Sequence, residues 1–159
     1  MKVLDMTHAE LAERYFREGY NCAQAVLLAF GDVTGLEDAT AARLASSFGG
    51  GLGRLREVCG AVSGASMVLG LCRGYSHPDD VQAKRAHYHL IQELARQFRA
   101  ENGSIVCREL LSGVETVPGN NPEARTGAYY RKRPCPQLVR QAAAITDRLL
   151  NSPNDEKIT

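Results

Sequence analysis

The chain has 159 residues, of which 44% are hydrophobic and 23% charged, and its formal net charge is only +1. These values are typical of one globular domain with a hydrophobic core, and the near-neutral charge argues against binding to nucleic acid or anionic membranes through overall charge. The chain lacks the run of about 20 apolar residues that a membrane span needs. Its first residues also lack the apolar run of a signal peptide, so we expect a cytoplasmic protein.

The sequence predicts two helix N-termini near the beginning of the chain. Thr7–Glu10 has the pattern of a capping box and predicts a helix to about Glu18, where Gly19 ends it. Asn21 and Gln24 repeat the pattern, and they predict a second helix that carries Cys22 in its first turn and is followed by a loop over residues 31–35.

The middle of the chain predicts a helix over 37–48, a glycine-rich loop over 49–53 and a central helix between Cys59 and Gly74. In this central helix Gly60 and Gly64 recur at a spacing of four, as do Ala61 and Ala65, and this spacing places the four small residues on one side of the helix. No charge occurs from residue 58 to residue 72, and we therefore expect this helix to be buried on all sides.

Three more helices are predicted in the second half. One begins with Pro78 at its first position and reaches about residue 100, and a short one over 105–111 is capped by Ser104. After an irregular stretch over 112–133, the last helix begins at Cys135 and ends near residue 150. The prediction is a single all-α domain over residues 1–150, with about six or seven helices around the central Gly/Ala-rich helix, and a polar tail over 151–159.

Four of the five cysteines, Cys22, Cys59, Cys107 and Cys135, fall at the start of a predicted helix. The N-terminus of a helix stabilises a thiolate, so we expect lowered pKa values for these four cysteines. Cys72 lies at the other end of the central helix, where the dipole opposes a thiolate, and we interpret it as a bystander. The alternative is that all five are small buried hydrophobic residues. No C-x-x-C pair is present, so any shared site must be assembled from distant segments.

The segments 19–27 (Gly-Tyr-Asn-Cys-Ala-Gln-Ala-Val-Leu), 49–53, 59–64 (Cys-Gly-Ala-Val-Ser-Gly) and 107–111, followed by Cys135, together resemble the C_GCAxxG_C_C family of redox-active proteins. The resemblance covers about residues 10–148, although the family label writes Gly-Cys-Ala where this chain reads Cys-Gly-Ala. It implies a redox activity and maps the four family cysteines onto Cys22, Cys59, Cys107 and Cys135. The chain is more distantly similar to the iron–sulfur part of split-Soret cytochromes. It has no C-x-x-C-H, so covalent c-type haem attachment is not expected.

Two hypotheses follow for the four cysteines. They hold a cluster, most simply [2Fe–2S], for electron transfer, or they act without metal as a thiol/disulfide oxidoreductase. A structural zinc site is a variant of the first hypothesis. We favour the metal centre, because all four cysteines have similar contexts whereas a dithiol enzyme needs only two. The partner would be an electron-transfer or thiol protein, and the small-residue face of the central helix is compatible with a homodimer.

The remaining motifs favour less specific roles. The glycine loop lacks the Lys-Ser/Thr of a phosphate-binding loop, so a tight connection beside the cysteines is favoured. His87 and His89 point in different directions on a helix and are not expected to share a metal. The segment 129–133, Tyr-Tyr-Arg-Lys-Arg, could contact nucleic acid, but the neutral chain favours a solvated loop or a docking patch for an acidic redox partner. A hydrolase built on Cys59 and a distant histidine would leave three cysteines without a role.

Overall fold

The computed structural model describes residues 5–153, and within them the protein is a single all-α domain, as predicted. The α-helices in this range are α1 (His8–Arg17), α2 (Cys22–Ala29), α3 (Gly31–Thr34), α4 (Asp38–Ala45), α5 (Gly60–Arg73), α6 (Val81–Asn102), α7 (Cys107–Leu110), α8 (Gly127–Lys132) and α9 (Cys135–Asn151). A 3₁₀ turn over Ser46–Phe48 extends α4. No helix among the described residues is both long enough and apolar enough to cross a membrane.

Both predicted capping boxes are formed. The Thr7 hydroxyl accepts a hydrogen bond from the backbone N–H of Glu10, and the Glu10 carboxylate accepts one from the backbone N–H of Thr7. Asn21 and Gln24 make the same reciprocal pair at the start of α2. Because the cap fixes where α2 begins, Cys22 is held as the first residue of that helix.

The small-residue face of α5 packs against α2, which lies at the centre of the domain between α1, α4 and α5. A Cβ atom added to Gly64 would lie 2.6 Å from the carbonyl oxygen of Ala23, and one added to Gly60 would lie 3.1 Å from the Cβ of Cys22. Real Cβ atoms essentially never come closer than 3.0 Å to another heavy atom, so Gly64 is required for this contact, and the space at Gly60 is tight for any side chain. This approach brings the start of α2 beside the start of α5.

The prediction that α5 is buried on all sides is wrong. Val68 and Leu69 are fully buried, but the side chain of Leu71 is 50% exposed. Ser66 and Gly70 line an open groove between α5 and α6. The helix has a buried face and a partly open face. Neither face carries a charged residue before Arg73, so the uncharged sequence alone does not show that the helix is buried.

Several elements differ from the sequence prediction. The long helix begins at Val81 rather than at Pro78, because the Asp80 carboxylate accepts a hydrogen bond from the backbone N–H of Ala83 and caps the helix there. The short helices α3 and α8 lie in stretches that were expected to be loops, so nine helices replace the expected six or seven within the described residues. Thr126 caps α8 through a hydrogen bond from the backbone N–H of Tyr129.

The two remaining differences concern α7 and the C-terminus. The predicted helix over 105–111 is only one turn, Cys107–Leu110, and Ser104 accepts a hydrogen bond from the backbone N–H of Val106 ahead of it. At the C-terminus, α9 includes Asn151, and most of the predicted polar tail, residues 154–159, lies outside the described residues.

Candidate functional site: a four-cysteine cavity

Cys22 and Cys135 form the first pair at the site. Each is the first residue of its helix, α2 or α9, and these two helices pack against each other. Both cysteines line the same cavity, and the pKa of each thiol depends on the other. Two helix N-termini therefore meet at one pair of sulfurs.

Cys59 and Cys107 form the second pair, and backbone hydrogen bonds between their neighbouring segments hold them side by side. The N–H of Cys59 donates to the carbonyl oxygen of Ile105 at 2.8 Å, and the N–H of Cys107 donates to the carbonyl oxygen of Glu57 at 2.6 Å. These bonds flank an isolated antiparallel β-bridge between residues 58 and 106. The bridge fixes the start of α7 beside the start of α5, although 47 residues separate the two cysteines along the chain.

All four cysteines line one cavity of about 50 Å³, and Cys72 is not among its lining residues. Cys59, Cys107 and Cys135 are buried and Cys22 is half-buried, and all four carry free thiols. Pockets for organic ligands usually measure about 300–1,000 Å³. The cavity is therefore of a size for a few waters or a small inorganic group rather than an organic substrate.

The glycine-rich loop covers one side of this cavity in an unusual conformation. Six of the seven residues from 50 to 56 have φ between 53° and 71°, including the non-glycine residues Leu52, Arg54 and Arg56. The chain turns back on itself, so that the N–H of Arg56 donates to the carbonyl of Gly50 and the N–H of Glu57 donates to that of Gly51. A Cβ at Gly51 would lie 2.7 Å from the Cβ of Cys107. The loop is thus the tight connection beside the cysteines that its composition favours.

One carboxylate, Glu123, holds three arginines at the edge of the cavity. Its oxygen lies 2.6 Å from the guanidinium of Arg133, 3.5 Å from that of Arg54 and 3.8 Å from that of Arg56. The Arg133 side chain is only 4% exposed, which corrects the expectation that the basic segment 129–133 is a solvated loop throughout. Arg133 and Arg56 line the cavity, so positive charge in excess of the single carboxylate faces the sulfurs.

A fourth arginine, Arg125, ties the irregular segment to the first helix. Its guanidinium lies over the rings of Phe16 at 4.4 Å and Tyr129 at 5.0 Å. It also donates hydrogen bonds to the carbonyl oxygens of Phe16 and Tyr20. Sequence reasoning missed Arg125 and Glu123. Their partners are far away along the chain, and no pattern of neighbouring residues indicates these contacts.

The expectation of four lowered cysteine pKa values is wrong for three of them. Burial raises the pKa of Cys59 to about 12, and hydrogen bonds to its sulfur from the backbone offset this only in part. Burial also raises the pKa of Cys107, against a hydrogen bond from Arg56. The pKa of Cys22 is raised, first by its hydrogen bond to Cys135 and then by burial. In this apolar cavity, the cost of removing a thiolate from water outweighs the effect of the helix N-terminus.

Cys135 alone follows the expectation. Its hydrogen bond from the Cys22 thiol lowers its pKa, and Arg133, Arg125 and Arg56 act in the same direction against burial. The pair thus favours a thiolate on Cys135 with the proton kept on Cys22. Without a bound group, the cavity favours a thiolate on Cys135 alone and disfavours thiolates on the other three cysteines.

Across residues 5–153, no group of three or more His, Cys, Asp or Glu side chains stands close enough together to hold a metal ion. The four cysteines therefore surround their cavity without forming a ready cage for a single ion. A metal centre at this position stays a prediction.

Comparisons with known proteins identify one family. Residues 20–149 match the family model described as "Putative redox-active protein (C_GCAxxG_C_C)". Searches of curated proteins and of solved structures returned no match. Since the family model spans most of the chain, including all four cysteines of the cavity, the protein belongs to the C_GCAxxG_C_C family of redox-active proteins.

Proposed function

We propose that Cys22, Cys59, Cys107 and Cys135 together hold one [2Fe–2S] cluster and that the protein transfers single electrons. The observation that carries the proposal is that four cysteines from four distant segments line one small cavity. Four cysteine thiolates are the usual ligand set of this cluster. Their arrangement in two pairs, one on α2 and α9 and one across the β-bridge, suits a group with two iron atoms.

The charge around the cavity supports this proposal. Four thiolates with a cluster carry net negative charge. Of the lining residues Arg56, Arg125 and Arg133, only Arg56 and Arg133 lie near a carboxylate, and they share the same one, Glu123. Such positive charge stabilises a bound anionic centre and influences its potential. The positive charge of Arg56 also lowers the pKa of Cys107 against burial, which raises it. The bound cluster would supply the one-electron chemistry, and the chain would supply charge compensation.

The apolar lining serves the same function by limiting the access of water. Phe16, Leu111 and Leu138 face the cavity together with the ring of Tyr129. Exclusion of water lowers the local dielectric constant, so that the arginines act more strongly on the bound centre. A structural zinc ion is the weaker variant, because one tetrahedral ion requires four sulfurs closer together than the described residues present them.

A second candidate function rests on a different observation, the position of Cys22 and Cys135 as the first residues of two packed helices at the same cavity. In this scheme the Cys135 thiolate attacks a substrate disulfide, forms a mixed disulfide and releases one substrate thiolate. Cys22 then attacks the Cys135 sulfur, forms the Cys22–Cys135 disulfide and releases the second thiolate. The substrate disulfide gains two electrons from the two cysteines, and the Cys22 proton goes to a leaving thiolate.

Single serine substitutions distinguish the two functions. Protein purified without oxygen should absorb at about 400–450 nm, and each of Cys22→Ser, Cys59→Ser, Cys107→Ser and Cys135→Ser should remove most of that absorbance. Cys72→Ser is the matched control and should keep it. If Cys59→Ser and Cys107→Ser instead leave full exchange with a disulfide substrate while Cys22→Ser and Cys135→Ser abolish it, the dithiol function is correct and the cluster proposal fails.

A further inference from the structure

Exposed apolar side chains lie on the glycine-rich loop beside the cysteine cavity and on the segment hydrogen-bonded to it. Leu52, Leu55, Val58 and Val117 are 45%, 67%, 40% and 54% exposed, and we call these four residues the apolar rim. The loop that carries three of them contributes Gly50, Gly51 and Arg56 to the cavity lining. The fourth, Val117, is held to the loop by Arg54, whose guanidinium donates hydrogen bonds to the carbonyl oxygens of Val117 and Gly119. The loop and the segment at Val117 are thus held together next to the cavity.

The fold gains little from the rim. Leu52 is held at φ 70°, a left-handed conformation that is unfavourable for leucine and favourable for glycine, and its side chain remains half in solvent. Leu55 is the most exposed of the large hydrophobic side chains in the described residues. Exposed apolar groups that cluster on one surface mark an interaction site more often than isolated ones do.

Charge is also unevenly distributed along the chain. The segments 49–59 and 107–135, which supply the rim and much of the cavity lining, contain seven basic and four acidic residues, whereas the whole chain is nearly neutral. Arg131 and Lys132 are exposed members of this set. The rest of the chain is therefore slightly negative. A surface of this kind attracts a negatively charged partner and orients it before contact.

We propose that the apolar rim and the positive charge around it form the docking surface for a small acidic electron-transfer protein. The partner covers the rim with an apolar patch of its own and places its redox centre at the cavity mouth. The identity of the partner as an electron carrier rests on the proposed function, whereas the docking itself does not. In each encounter the carrier loses one electron and the cysteine centre gains it, or the reverse.

Flavodoxin, a small acidic flavin protein, is the probe for the test. Its association with the protein is measured by calorimetry, and electron transfer from its reduced form is measured by stopped-flow absorbance. Ferricyanide, which needs no docking surface, serves as a separate one-electron oxidant of the reduced protein. A protein that fails to react with ferricyanide contradicts the proposed function, and the calorimetric measurement still tests the docking surface.

Two pairs of matched variants locate the surface. Arg131→Glu with Lys132→Glu should weaken flavodoxin binding by about tenfold or more at low salt, while Arg85→Glu with Arg99→Glu, which changes the net charge equally on α6, should weaken it by less than about twofold. Leu55→Ser should weaken binding by about fivefold, and Val81→Ser, whose side chain is similarly exposed at the start of α6, should not.

The proposal is supported if binding is saturable, is lost with salt, and depends on Leu55 and the 131–132 pair but not on their controls. It is overturned if flavodoxin does not bind, if the two charge reversals act equally, or if Leu55→Ser has no effect. Equal or tighter binding of a short single-stranded oligonucleotide would also overturn it, because the surface would then recognise polyanions in general.

Discussion

The contact between α2 and α5 predicts opposite effects for two glycine substitutions in the same helix. In Gly64→Ala the new Cβ would lie 2.6 Å from the carbonyl oxygen of Ala23 and 3.1 Å from the Cβ of Val26. Neither atom is at the end of a flexible side chain, so the helices must separate, at a cost of about 1–3 kcal/mol. In Gly70→Ala the Cβ meets nothing within 4 Å, and alanine should stabilise the helix by about 0.5–1 kcal/mol relative to glycine.

Urea unfolding followed by circular dichroism measures both effects. We expect Gly64→Ala to lower the unfolding midpoint and Gly70→Ala to raise it, with little change in the slope of either transition. Because α2 begins at Cys22, Gly64→Ala should also reduce the binding of iron to protein reconstituted without oxygen, whereas Gly70→Ala should not. Equal midpoints for the two variants would refute the inference that close packing of α2 on α5 assembles the cavity.

Four other substitutions test individual contacts. Burial opposes the charged form of His8, but its two aspartate partners raise its pKa, so its stabilising effect is full below about pH 6.5 and is lost as the pH rises through the raised value. The free energy of unfolding should therefore fall as the pH rises above about 6.5 in the wild type, and it should fall less in His8→Gln. Arg125→Ala should lower stability by about 1–3 kcal/mol and increase proteolysis within residues 112–126, because the cation–π contacts and two hydrogen bonds are lost. Glu123→Ala should destabilise by about 1–3 kcal/mol, since three arginines lose their shared carboxylate, and added salt should reduce the loss. Leu52→Gly should raise stability by up to about 1 kcal/mol, because glycine relieves the left-handed strain.

Controls for these substitutions lie on the same elements. Glu123→Gln keeps the size of the side chain and removes its charge, so a loss equal to that of Glu123→Ala identifies electrostatics as the cause. Arg125→Lys keeps a charge without the planar guanidinium and should recover only part of the stability. A pH profile of His8→Gln that parallels the wild type would contradict the assignment of the ion pairs to His8.

The features that sequence reasoning predicted are those fixed by neighbouring residues. The capping boxes at Thr7 and Asn21 and the helix that starts at Cys135 depend on contacts within a few positions, and the structure contains them. The spacing of Gly60 and Gly64 likewise identified the side of α5 that contacts another helix. These features placed Cys22, Cys59 and Cys135 at helix starts before any fold was known.

The features that were missed depend on distant parts of the chain or on solvent. Nothing near Glu123 indicates that it will meet arginines from the glycine loop, and nothing local pairs Glu57 with Cys107 across the β-bridge. The raised pKa of Cys59 follows from burial, which no helix position reveals. The open side of α5 at Gly70 depends on how α6 packs. The uncharged sequence of α5 therefore did not indicate which side is exposed.

The content of iron and acid-labile sulfide in protein purified without oxygen tests the central claim most directly. The four-cysteine cavity predicts two irons and two sulfides per chain in the wild type and in Cys72→Ser, and neither element in Cys59→Ser. Colourless wild-type protein that stays free of iron after anaerobic reconstitution, with Cys22 and Cys135 cycling between thiols and a disulfide, would contradict it.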